Sequence, residues 1–92
     1  MQYTITDYTI KKAKQLKVTV RLSERKNKKL DVFKNNVKIA TVGNVNYKDF
    51  PTYVNEKGLE FANKRKKLYY ISHKKDIEKI GSNGYYASKL LW

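Results

Sequence analysis

Cysteine is absent from the 92-residue chain, which excludes disulfide staples, thiolate zinc sites and a cysteine nucleophile. One histidine and one proline leave little metal-ligating capacity and few built-in breaks. Acids are scarce: 8 Asp and Glu stand against 21 Lys and Arg, a formal net charge of +13. No apolar run approaches the roughly 18 residues needed to cross a bilayer. The opening Met1-Gln2-Tyr3-Thr4-Ile5 lacks the basic-then-apolar order of a secretion signal, so the expectation is a protein with neither membrane span nor signal. Gly-rich phosphate loops, HExxH, paired catalytic carboxylates and zinc-finger spacings are missing as well. The sequence therefore reads as non-enzymatic, with no catalytic, cofactor-binding or metal residues.

What remains is enough to fold. Hydrophobic residues make up 40% and aromatics 13% of a 10.9 kDa chain, sufficient for one modest core and too little for two, so residues 1–92 read as a single small basic α+β domain. The cations are mostly lysine, 18 against 3 arginines, beside 8 Asn and 8 Tyr. AT-rich codons account for that choice of residues but not for the shortage of acids. Both halves of the chain carry the excess, so charge is spread over the fold instead of being confined to a tail.

Leu16, Val18, Val20 and Leu22 alternate with Lys17, Thr19 and Arg21, the period-two pattern of a half-buried strand with a basic outer face. Leu30 to Phe33 and Val37 to Val42 form two further strand-like runs, and Asn35-Asn36 between them tolerates positive φ and suits a tight hairpin. Gly43 ends the third run. The expected sheet is a small antiparallel three-stranded meander over about residues 16–43, four-stranded if Tyr3 to Ile5 adds an edge. Asp7 to Leu16 reads either as one or two helical turns or as an extended arm.

Helices are expected over about 49–92. Asp49-Phe50-Pro51 is a start signal, with Asp as cap and Pro in the first turn, and Gly58 interrupts the helical run. From Leu59 to about Lys74 apolar residues fall at helical spacing: Leu59, Ala62 and Tyr69 on one side, Phe61, Leu68 and Ile71 nearby. Gly81-Ser82-Asn83-Gly84 reads as a flexible joint in which Ser82 or Asn83 caps a last short helix. Its Tyr85, Tyr86, Leu90, Leu91 and Trp92 are expected to dock on the sheet, since the meander cannot close a core alone.

Candidate binding residues follow from the charge. Basic clusters occur at Lys11-Lys12-Ala13-Lys14, at Arg25, Lys26, Lys28 and Lys29, at Lys64, Arg65, Lys66 and Lys67, and at Lys74 with Lys75. Together they predict a positive potential suited to polyanions. Lysine is a flexible point charge without the guanidinium fork that reads guanine, which favours backbone contact over base readout. Arg65, Tyr69 and His73, at i, i+4 and i+8, share one helical stripe. Tyr69 and His73 there form either a stacking or clamp site for nucleic acid, or structural contacts that pin the C-terminal segment. His73 with Asp76 and Glu78 is a weak pattern for metal, and Ser72 beside His73 is no nucleophile–base pair, because adjacent helical side chains diverge.

The runs Tyr47-Lys48-Asp49-Phe50, Lys64-Arg65 with Tyr69 and His73, Gly81-Ser82, Gly84-Tyr85-Tyr86-Ala87 and Lys89-Leu90-Leu91-Trp92 together resemble a family of small basic proteins of unknown function encoded by large nucleocytoplasmic double-stranded DNA viruses. The likeness covers roughly residues 16–92 and is most specific from Gly84 to Trp92. Members of that family often carry Arg before the His; Ser72 stands there in this chain, which weakens a phosphate-clamp reading of the spot. The resemblance implies a structural protein of the virion, a minor capsid or core component, with viral capsid or core proteins as partners and DNA or RNA backbone as a further contact. Its implied location is the virion, and the host cytoplasm or viral factory during infection. The alternative is a soluble nucleic-acid-binding protein that contacts backbone without sequence preference.

Overall fold

The computed structural model describes residues 3–92. Among them, three strands and five helices follow one another: α1 (Asp7–Leu16), β1 (Thr19–Leu22), β2 (Lys28–Lys34), β3 (Val37–Asn44), α2 (Phe50–Lys57), α3 (Leu59–Ser72), α4 (Lys74–Glu78) and α5 (Asn83–Leu91). The sheet is antiparallel in the order β1-β2-β3, an α+β arrangement.

The Asp7–Leu16 segment is a full ten-residue helix, resolving the choice between short turns and an extended arm. Thr6 caps it by accepting from Thr9 N at 3.2 Å, and Asp7 sits in the first turn where the helix dipole favours an acid. Lys17 then turns in the left-handed region and closes the end by donating to Ala13 and Lys14 carbonyls. Leu16 belongs to this helix, so the first strand begins at Thr19 and not at Leu16. Leu16 fits the alternation of the strand, but it also continues the helical stripe of the buried Thr9 and Ala13.

The hairpin between β2 and β3 turns at Asn35 and Asn36, with φ of 52° and 65°, the double positive φ of a two-residue turn whose twist matches its strands. Leu30 pairs with Val42 and Val32 with Ala40, and all four are buried; Val20 and Leu22 lie opposite Val32 and Leu30. A bulge between Val32 and Phe33 shifts the rest of the pairing. β1 differs from the expected half-buried strand. It is short, hydrogen-bonded on one side only, and leaves Leu22 exposed. Tyr3 to Ile5 forms no fourth strand; Tyr3 is drawn instead to Asp49, its hydroxyl 2.8 Å from the carboxylate.

α5 closes the core. Leu90 is fully buried and Leu91 nearly so, beside Ala13, Leu30, Val32, Ala40 and Val42. Ser82 caps this helix by accepting from Tyr85 N, while Asn83 covers part of the free edge of β3 by accepting from Thr41 N at 3.3 Å. The last carbonyls of a helix lack partners within it. Here other helices supply them: Tyr70 donates to Ser88 O, Thr9 to Leu90 O and Tyr8 to Trp92 O, at 3.2, 2.8 and 2.9 Å. The Gly81–Gly84 stretch is less free than a flexible joint, because a Cβ on Gly84 would stand 2.5 Å from Asp76 Cβ. That glycine lets α4 and α5 touch.

α3 departs most from its periodicity. Ala62 is its buried residue, while Leu59, Phe61, Leu68 and Ile71 are exposed by 41–64%. The helix packs chiefly against α2 across the Gly58 break, so much of its apolar stripe meets solvent.

Leu90→Ala is expected to cost roughly 2–5 kcal/mol, the range for opening a cavity at a buried leucine, and Ile80→Ala, at an exposed position, less than about 0.5 kcal/mol. Urea unfolding of the two variants checks this; equal midpoints would mean that α5 is not part of the core.

Candidate functional site

A hollow of about 700 Å³ lies between the end of β3, the last turns of α3 and the end of α5. A column of rings forms one side. His73 stacks on Tyr69 with centroids 4.2 Å apart, and Tyr69 stacks on Trp92 at 4.7 Å with 10° between the planes. Tyr53 leans on Trp92 at 6.1 Å and carries the Arg65 guanidinium 5.6 Å above its own ring. Both faces of Tyr69 are thus covered by protein. The outward side of His73 is the exposed end of the column. The Arg65–Tyr69–His73 stripe expected from helical spacing exists, with Tyr69 engaged in holding Trp92 against α3.

At the base of the hollow, Lys29 meets Asp49. The ammonium lies 3.0 Å from Asp49 Oδ2, with 4% and 1% of the two side chains exposed. Asp49 is also the N-cap of α2: its Oδ1 accepts from Thr52 N and Thr52 Oγ1 at 3.2 and 2.7 Å, while Oδ2 accepts from Tyr3 OH as well as Lys29. Burial alone would raise the carboxyl pKa; the Thr52 hydrogen bonds, the Lys29 charge and the Tyr3 phenol outweigh it and hold the group below the ordinary carboxylate value. Burial next to that carboxylate pushes the Tyr3 phenol up. The Lys29 stem runs past Gly43, where a Cβ would approach Lys29 Cδ and Leu91 Cδ1 to 2.9 Å. Lys29, expected among the polyanion-binding cations, is therefore a structural residue: it is buried and already neutralised.

The other candidate cations do not gather into one patch. Arg25 and Lys26 are exposed in the β1–β2 loop, with Lys28 half-buried beside them, around a hollow of about 590 Å³. Successive helical residues step by about 100°, so the run from Lys64 to Lys67 divides. Arg65 faces the aromatic hollow, Lys66 lies half-buried 4.9 Å from the Phe50 ring, and Lys64 and Lys67 point to solvent. Lys74 and Lys75 are exposed on α4. His73 does not assemble a metal site with Asp76 and Glu78; among the described residues no group of three or more His, Cys, Asp or Glu gathers. No helix among them is long and apolar enough to cross a membrane.

Besides Asp49, two carboxylates are occupied within the fold. Asp31, buried, accepts from Ser23 Oγ and Thr41 Oγ1 at 2.8 and 2.9 Å with Lys38 3.9 Å away. Burial raises its pKa, but those hydroxyls, the Glu24 backbone and Lys38 together lower it on balance. Glu56 pairs with Lys48 at the surface. Sequence reasoning missed Lys48, Tyr53 and Trp92 as parts of the aromatic hollow, because their shared signal is tertiary: residues distant along the chain meet only once α2 and α5 have docked. Compared with protein families, curated proteins and solved structures, the chain matches none.

Asp49→Asn is expected to destabilise by about 3–5 kcal/mol, since it leaves a buried ammonium without its counter-charge; Lys29→Met combined with Asp49→Asn recovers much of that loss in chemical denaturation. A single variant no worse than the double one would contradict the pairing. With both Asp31 and Asp49 lowered in the fold, their stabilisation is full above the unfolded carboxylate value of about 4 and fades as pH falls through the lower folded values. Melting temperature against pH is therefore expected to fall on the acid side, and less steeply in Asp31→Asn.

Proposed function

We propose that this protein is a non-enzymatic, basic structural component that binds polyanions through its lysine-rich surface, with nucleic-acid backbone as the principal partner. The resemblance of its C-terminal motif leads us to place that role in the virion of a large double-stranded DNA virus, against packaged genome and acidic capsid or core proteins. One observation carries the binding reading. Only Lys29, Lys38 and Lys48 have a carboxylate within 4.0 Å among the described residues, so nearly all of the 21 basic side chains face solvent or aromatic rings without a counter-charge.

The distribution favours contact with a polymer over recognition of one small anion. Cations project from three separate elements, the β1–β2 loop, α3 and α4, of a molecule measuring 36 × 30 × 24 Å, so a backbone or several acidic neighbours can be met at once. The best stacking ring, Tyr69, is sandwiched by His73 and Trp92. Charge, not base stacking, is then the main source of affinity. A soluble backbone-binding protein of the infected cell would use the same side chains; detection in purified particles supports the virion role, and absence from them removes it while leaving backbone binding intact.

Changing Lys64, Arg65, Lys66 and Lys67 to Gln is expected to weaken binding by a similar factor on every nucleic-acid sequence, and to lower the salt slope by about one for each phosphate no longer neutralised. Fluorescence anisotropy on unrelated duplexes measures both, with circular dichroism confirming that the variant folds. A weakening confined to particular sequences contradicts backbone contact.

A further inference from the structure

Away from the aromatic hollow, α1, α3 and α5 enclose a smaller one of about 230 Å³, lined by Lys12, Lys66 and Lys89 together with Gln15, Tyr70 and Trp92. No Asp or Glu side chain is part of its lining. The three lysines come from positions far apart in the chain, and their meeting is a product of the fold. Lys12 and Lys66 are held as neighbours: the Lys12 ammonium lies 5.4 Å from the Tyr8 ring, the Lys66 ammonium 4.9 Å from the Phe50 ring, and those rings are themselves 5.3 Å apart. Both side chains are half-buried.

Like charges drawn together in a part-buried hollow oppose folding unless something offsets them. Burial, and then the charge of Lys12, lower the pKa of Lys66, the signature of a cation that lacks a counter-ion. Nearby hydrogen bonds do not provide one, because the Tyr70 hydroxyl donates to the Ser88 carbonyl and the Ser88 hydroxyl to the Tyr85 carbonyl. A local conflict of this kind marks a place shaped for a ligand more often than a defect. The volume sets the class, since small-molecule sites usually span roughly 300–1,000 Å³ and this one suits a single oxyanion with its water.

We propose that the hollow bounded by Lys12, Lys66 and Lys89 is a phosphate-binding pocket. It rests on, and sharpens, the polyanion reading: one phosphate group is seated against the Lys12 and Lys66 ammoniums, with the exposed Lys89, whose ammonium lies 5.7 Å from the Tyr85 ring, at the edge of the hollow, while the other exposed lysines meet its neighbours diffusely. The group is either an internal phosphodiester or a terminal phosphate, and the pocket's chemistry is common to both.

Trp92, the single tryptophan of the chain, lines the pocket and reports on it. Titrating the full chain with inorganic phosphate at constant ionic strength is expected to change Trp92 fluorescence saturably. Lys12→Gln with Lys89→Gln should weaken that response at least tenfold, whereas Lys34→Gln with Lys79→Gln, which removes as much charge at exposed positions outside the lining, should leave it unchanged. Lys66→Gln is expected to raise the melting temperature in phosphate-free buffer and to abolish the rise that phosphate produces in the unaltered protein. Oligonucleotides with and without a 5′-phosphate separate the sources. Loss of affinity in the Lys12/Lys89 variant for both points to the phosphodiester, and loss only for the phosphorylated strand points to the terminal group. An unsaturable response, or equal responses in the two double variants, overturns the pocket. If DNA still binds in that case, the polyanion reading stands without it; if phosphate binds saturably and DNA does not, the pocket stands and the wider reading fails.

Discussion

The buried contact between Lys29 and Asp49 is the constraint on which the rest of the arrangement turns. An ion pair taken out of water is costly unless its hydrogen-bonding capacity is filled, and the carboxylate of this one is filled from three directions. Lys29 comes from the middle strand, Asp49 opens the helical half, and Tyr3 and Thr52 complete the carboxylate. An apolar pair of similar volume could stabilise as much, but it would not demand one angle between sheet and α2. The same geometry explains Gly43, whose missing side chain admits both the Lys29 stem and Leu91. Sheet, first helix of the C-terminal half and last helix therefore meet at one place.

That joint bears on function through charge. With only eight acids, the chain places Asp49 and Asp31 inside, where each is surrounded by donors, and so withdraws two counter-charges from the surface. Cations lose one of their number, Lys29, in the exchange. The outside is left more one-sided than the composition, and a polyanion meets little electrostatic opposition over most faces. α5 has a comparable double role: its leucines close the core, its end is held by Tyr8, Thr9 and Tyr70, and its Trp92 borders both the aromatic hollow and the lysine-lined one.

Local signals were legible wherever local physics decides. The Asn35-Asn36 turn, the Asp49 and Ser82 caps, the Gly58 break and the docking of Leu90 and Leu91 all rest on backbone preference or on burial of a short apolar stretch. Leu16 shows the limit, because it satisfies a strand alternation and a helical stripe equally well and only the Thr6 cap and the Lys17 turn settle which holds. α3 shows another. Its periodicity marks an apolar stripe, yet whether that stripe is covered depends on how many elements are left to cover it, and in so small a fold α2 alone is not enough. Lys29 and Lys28 look alike in sequence; the arrival of Asp49 makes one structural, and the other stays half-buried beside it. The convergence of Lys12, Lys66 and Lys89 has no linear signature at all.

The central claim is that unneutralised surface cations bind nucleic-acid backbone, and affinity for a labelled duplex across a salt series tests it most directly. If about six phosphates are contacted, log affinity is predicted to fall against log salt with a slope of about −5 on duplex DNA, with little change between sequences. No binding at about 100 mM salt, or a slope near zero, would contradict the account.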